Sequence, residues 1–217
     1  MICGVDEAGK GPVMGPLVVA AVAVENAKEI ENLGIQDSKT LTKTKRKELA
    51  AIIKEKFTFA VEIVDPEIVD EYRKKNKLND LNRNAFEKLI SKLNPNVAYV
   101  DAADVNEQRF GEQIKLGLTN QRDTDVISMH KADAKIVVVA AASIIAKETR
   151  EQEIFKLKAK IGDFGSGYPS DERTIKFLKS FYSDNNKWPM GTRKSWKTLE
   201  RIRPVKTLSD FGVNNDK

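Results

Sequence analysis

MICGVDEAGKGPVMGPLVVAAVAV, residues 1–24, decides how the chain folds. Met1–Val5 and Leu17–Val24 are apolar runs rich in β-branched residues and alanine, which read as two buried strands. The Gly/Pro segment between them supplies a turn, so the pair reads as an antiparallel hairpin. Asp6 and Glu7 stand at the end of the first run. Adjacent side chains of a regular strand face opposite ways, so both carboxylates reach one point only if the strand ends or distorts there, and Ala8-Gly9 permits that.

Working outward, Thr42–Lys56 reads as a basic helix and Phe57–Val64 as a strand, with Asp65 and Pro66 at the N-cap and N1 of the next helix. Leu78, Leu81, Phe86, Leu89, Ile90 and Leu93 recur at helical spacing as far as Asn94-Pro95. Val97–Asp101 reads as a short strand, Asp104 with Glu107 has the spacing of a capping box, and Asp125–His130 reads as a further strand. Ile136–Lys160 begins apolar all round and becomes charged from Lys147, which suits a helix half buried against a sheet. Ser170-Asp171-Glu172 caps another helix, and a last one is read over about Thr192–Ile202. The expected fold is α/β: a mixed sheet of about five strands flanked by helices, with a small helical extension. The expected division is 1–161 as the main domain, 162–204 as the helical extension and 205–217 as a flexible tail.

Composition narrows the class. At 217 residues, 41% of them hydrophobic, the chain can bury one sizeable core. A formal net charge of +5 is compatible with a polyanionic partner. The lone cysteine, Cys3, excludes an internal disulfide and a thiolate metal cluster within one chain. The longest mostly apolar run, Ile136 to Ala146, falls short of the roughly 20 residues that span a bilayer. No basic leader precedes the first strand, so a cytoplasmic protein without membrane contact is expected, and nothing in the sequence calls for more than a monomer.

Four acids stand at or near the ends of predicted strands: Asp6, Glu7, Asp101 in YVDAAD and Asp133 in HKADAK. Strand ends are where sites collect in α/β sheets. Gathered carboxylates repel one another unless a cation neutralises them, and an all-oxygen set selects Mg²⁺ or Mn²⁺ over softer metals. The chemistry implied is metal-assisted phosphoryl transfer. In Gly9-Lys10-Gly11, residues lacking a Cβ let backbone approach a sugar-phosphate closely. The spacing does not match a GxxxxGK[ST] phosphate loop.

Taken together, GVDEAGKGPVMGPLVVAAV, DSKTL at 37–41, YVDAADV, HKADAK, VAAASIIAK and GSGYPSD at 165–171 resemble the type 2 ribonuclease H family (ribonuclease HII), particularly its archaeal members. The matching stretches run in order to about Trp196. The resemblance implies a ribonuclease-H-like fold and an endonuclease that cuts RNA in RNA–DNA hybrids and incises 5′ of a single ribonucleotide in duplex DNA. Asp6, Glu7, Asp101 and Asp133 fall on the family's catalytic and metal-binding acids. These imply a two-metal site, with metals about 4 Å apart, leaving 5′-phosphate and 3′-OH ends. Gly9, Lys10 and Gly11 match the segment whose backbone reads the ribose 2′-OH, with Lys10 where the family more often has Arg. Tyr168 matches the tyrosine that stacks on the following sugar. The related type 3 enzymes carry an extra N-terminal domain, for which a GVDEAG motif starting at residue 4 leaves no room. A non-catalytic hybrid-binding module with a structural cation site is the alternative, disfavoured because all four acids are intact.

Lys39, Arg46 and Lys147 are candidate phosphate contacts, although a basic helix face is more often simply solvated. Trp188 and Trp196 read as core residues of the extension. His130, without other His or Cys ligands nearby, reads as structural. The tail KTLSDFG places Leu208 and Phe211 three residues apart, resembling a clamp-binding peptide of replication proteins. Val205 replaces its glutamine and Gly212 its second aromatic.

Overall fold

The computed structural model describes residues 1–35, 41–118 and 123–203. Its elements in chain order are β1 (Ile2–Ala8), β2 (Leu17–Val24), α1 (Ala27–Glu31), α2 (Lys43–Lys56), β3 (Thr58–Val64), α3 (Pro66–Lys74) and α4 (Leu78–Leu93). There follow β4 (Val97–Asp101), α5 (Glu107–Gly117), β5 (Asp125–Met129), a 3-10 turn at Ala132–Ala134, α6 (Val137–Ile161), α7 (Glu172–Asn185) and α8 (Lys197–Ile202). The sheet order is β3-β2-β1-β4-β5. The β1–β2 and β2–β3 pairs are antiparallel, and β4 runs parallel to both β1 and β5.

β2 explains why LVVAAVAV carries no polar residue. Val18, Ala20, Val22 and Val24 face the layer formed by α1, α2 and α6, whereas Val19, Ala21 and Ala23 face α4 and α5. A strand covered on both faces has no solvent side. A third cluster joins Val13, Met14 and Leu17 to Val64, Val69, Leu81 and Ile154, and to Phe164, Leu178, Trp196 and Leu199 of the C-terminal segment.

Local differences from the sequence reading have physical causes. The N-cap of α5 is Asn106, whose side chain accepts the Arg109 N–H, so Asp104 and Glu107 form no capping box. Asp104 instead accepts the Asn106 N–H and pairs with Arg109. The helix expected over Thr192–Ile202 begins only at Lys197. Upstream, the Asp70 carboxylate takes the N–H groups of Lys194 and Ser195 and the Ser195 hydroxyl, holding an extended loop. Asp65 precedes α3 without a side-chain capping bond. The short α1, capped by Asn26, went unread.

The tightest joint lies between β1 and α6. A Cβ at Gly4 would sit 2.3 Å from the Val138 carbonyl carbon and 2.4 Å from the Val139 nitrogen, both backbone atoms that cannot rotate aside. Gly4→Ala should therefore destabilise the protein by about 3 kcal/mol through overpacking, read as a lower urea midpoint than wild type.

Candidate active site

The parallel pairing of β1 with β4 ends at Val5↔Val100, while β1 continues beside β2 as far as Ala8↔Val18. Asp6 and Glu7 therefore project where β1 has lost one neighbour. They stay in regular register opposite Ala20 and Val19, and of the two expected alternatives, an ending or a distortion, the strand takes the ending: it stops at Ala8 and turns at Gly9, with φ of +95°. Asp101 ends β4, and Asp133 lies in the 3-10 turn that follows β5. All four acids thus stand at or just beyond the carboxyl ends of three neighbouring parallel strands.

Their environments differ. Asp6 is buried; its Oδ1 accepts the Glu7 N–H at 2.7 Å, and it is hydrogen-bonded to the Ser143 side chain of α6. Burial, then the charges of Glu7 and Asp101, hold its pKa well above the ordinary range, despite those hydrogen bonds. Glu7 is partly exposed as a residue, but its Oε2 is shut from solvent and has no protein partner. Burial pushes its pKa up to about 7; the Lys10 ammonium opposes the rise, and Asp101 and Asp133 add to it. Asp101 accepts the Ala132 N–H at 2.7 Å, fixing the turn that carries buried Asp133. Lys131, just before, adopts the left-handed region at φ of +57°.

Among the described residues, no three Asp, Glu, His or Cys side chains form a ready-made cation cage. The acids share an electrostatic field rather than a closed ligand set. A hard cation still fits the chemistry: the donors are all carboxylate oxygens, and the buried Glu7 Oε2 accepts no hydrogen bond from the protein.

Beside the acids opens a cleft of about 450 Å³, lined by Glu7, Gly9, Lys10, Gly11, Arg46, Lys147 and Tyr168. Tyr168 is 39% exposed, with the Arg150 guanidinium 5.3 Å from its ring centroid. Arg46 bonds Glu151 on α6. The Lys10 Nζ turns to the Ala103 carbonyl at 2.7 Å and to Asn79. Lys39 and the tail residues Leu208 and Phe211 lie outside the described residues. His130, between β5 and the 3-10 turn, donates its backbone N–H to Glu107.

Residues 3–199 match the sequence model of the family described as Ribonuclease HII. The chain belongs to the ribonuclease HII family. Ribonuclease HII of Methanoregula boonei is 43% identical over 211 residues, covering 97% of this chain and 98% of that protein. Two solved structures superpose with TM-scores of 0.86. One is the PCNA:RNase HII complex from Archaeoglobus fulgidus, 43% identical, covering 97% of this chain and 100% of that one. The other is ribonuclease H2 from Pyrococcus horikoshii OT3, 41% identical, covering 93% and 96%. As a ribonuclease HII the chain is an endoribonuclease of the hydrolase class. No helix among the described residues is long and apolar enough to cross a membrane.

In this ribonuclease HII the candidate site also has, in or behind its cleft, groups that the sequence did not single out. Arg150 lies seven residues after Ser143 and four before Ile154, a helical spacing that places it on the buried stripe of α6. That spacing was the available signal. Glu151 and Arg193 gave none, being charges among other charges.

A carboxyl with a raised folded-state pKa holds its proton more tightly when folded, so its penalty is absent at acid pH and complete above the folded pKa. In a chelator, stability should fall as pH rises from 5 to 8, with Glu7 contributing on the order of 3 kcal/mol. Urea unfolding of wild type against Glu7→Gln at both pH values checks this, and the variant should show the flatter profile.

Proposed function

We propose that this chain hydrolyses the RNA strand of RNA–DNA hybrids and incises 5′ of single ribonucleotides embedded in duplex DNA, leaving 5′-phosphate and 3′-OH ends. The supporting observation is the placement of Asp6, Glu7, Asp101 and Asp133 at three adjacent strand ends, beside a cleft that also holds the Gly9-Lys10-Gly11 turn and Tyr168. Those four carboxylates would hold Mg²⁺ or Mn²⁺. Bound there, the divalent ions of a two-metal site would supply an activated water and stabilise the leaving oxygen.

The chain's own residues do the rest. Backbone at Gly9–Gly11 reads the 2′-OH, which gives sugar selectivity without base selectivity. Tyr168 offers a ring face to the adjoining sugar. Arg46 and Lys147 line the cleft where a phosphate would enter, and Lys39 is assigned the same role from sequence alone. Residues 1–161 would be the catalytic domain that carries the acids, and 162–204 the extension that supplies Tyr168 to the cleft. The tail 205–217 is assigned to a sliding clamp, a reading supported by the PCNA complex of the Archaeoglobus relative.

A duplex with one ribonucleotide, incubated with Mg²⁺ or with a chelator, tests the activity. Nicking should require the metal, and Asp6→Asn should lower it by at least about 10³-fold while leaving thermal unfolding near wild type. Full turnover by the variant would refute the assignment. Deleting residues 205–217 should remove clamp binding, measured calorimetrically, without changing the nicking rate.

A further inference from the structure

Arg193 is fully buried, and although the Asp70 charge acts on it, the hydrogen bonds of its guanidinium among the described residues go to backbone. Its partners are carbonyls. Nη2 donates to Gly9 O at 2.6 Å, Nη1 to Lys10 O at 3.1 Å and Nε to Gly15 O at 2.9 Å. Trp196, stacked 5.0 Å from the same guanidinium, donates its Nε1–H to Gly11 O at 3.0 Å. Thus four carbonyls of the turn after β1 are drawn to one side by two side chains from beyond residue 190.

In a planar trans peptide, the C=O of one residue and the N–H of the next point in opposite directions. Drawing in the carbonyls of Gly9 and Lys10 therefore turns out the N–H groups of Lys10 and Gly11. The carbonyls of Gly11 and Gly15 precede Pro12 and Pro16, which have no N–H to orient. Among the described residues, neither the Lys10 nor the Gly11 N–H has a protein acceptor. Gly11 faces the cleft: a Cβ there would meet only Tyr168, at 3.9 Å.

We propose that Arg193 is a positioning residue for sugar recognition, holding the Gly9 and Lys10 carbonyls so that the Lys10 and Gly11 amides present a fixed pair of donors to the ribose hydroxyl. This rests on the reading that the chain acts on ribonucleotides. A lysine keeps the charge but has no planar fork, so it cannot hold several carbonyls in one plane. The support behind Arg193 is also built in. Its N–H donates to Val13 O at 2.8 Å, and Asp70 of α3 fixes the next two residues.

The test is a pair of anisotropy titrations in a chelator, using two DNA duplexes that differ only in one ribonucleotide. Wild type should prefer the ribonucleotide duplex. Arg193→Lys should bind the all-DNA duplex within about twofold of wild type but lose about tenfold in preference, as expected for donors no longer held in place. Trp196→Phe, which removes only the Nε1–H, should lose about threefold. A folded Arg193→Lys with wild-type preference, or one weakened equally on both duplexes, overturns the proposal. If Arg193→Lys fails to fold, Trp196→Phe decides, and unchanged preference overturns it. Wild type without preference overturns the ribonucleotide reading itself, and this proposal with it.

Discussion

At Gly4 the backbone of β1 touches the backbone of α6, with no room for one more carbon atom between them. That contact sets the depth of the helix against the sheet, and α6 then runs alongside the whole first hairpin like a ruler. Val138 meets Gly4, Ser143 reaches Asp6, Arg150 abuts Gly9 and Ile154 abuts Gly15. At 1.5 Å per residue, the sixteen steps from 138 to 154 span about 24 Å, long enough to brace the strand, its acid pair and the turn beyond. The small residues of VVVAAASIIA permit the approach. A bulkier helix would stand farther from the sheet and lose Ser143 as a partner for Asp6.

Close packing of this kind imposes an electrostatic cost, because it excludes water from carboxylates that repel one another. The chain offsets part of it locally. Ser143 and the Glu7 amide favour the Asp6 anion, and the Lys10 charge favours the Glu7 anion. Lys10 can do so because its ammonium is anchored to the Ala103 carbonyl and to Asn79, which in turn donates to Asp104. In that position a lysine serves as a fixed counter-charge. The left-over strain, an unpartnered Glu7 oxygen, lies at the place where a cation is proposed to bind.

The hairpin, the five strands and most helices were readable because their signals are local and repetitive. An all-apolar run means a two-sided strand, and Asn94, in the left-handed conformation, ends α4 where the Asn-Pro pair predicts. What sequence misjudged depended on distant partners. Residues 192–196 look helical in isolation, but Asp70, more than 120 positions earlier, captures their amides. Asp104 and Glu107 have capping-box spacing, but Asn106 competes from a closer position. The acids stood out through their motifs and strand ends. Arg193 did not, since nothing in its basic stretch distinguishes a solvated cation from one buried among carbonyls.

The C-terminal segment matters to the cleft for the same reason. Gly167 O accepts the N–H groups of Val13 and Met14, Met14 bridges Thr192, and Phe164 and Trp196 join the cluster built on Val13 and Leu17. The residue after Gly167 is Tyr168. The tyrosine and the Gly9–Gly11 turn are thus mounted on one joint, and a shift of either carries the other with it. Sites that must separate a hydroxyl from a hydrogen need such shared mounting, because the discrimination rests on donor positions held to a fraction of an ångström. For the proposed reading of a ribose hydroxyl, that precision would come from carbonyl contacts spanning more than 170 residues of sequence, whose closure entropy is met once, when the main core and the C-terminal segment pack together.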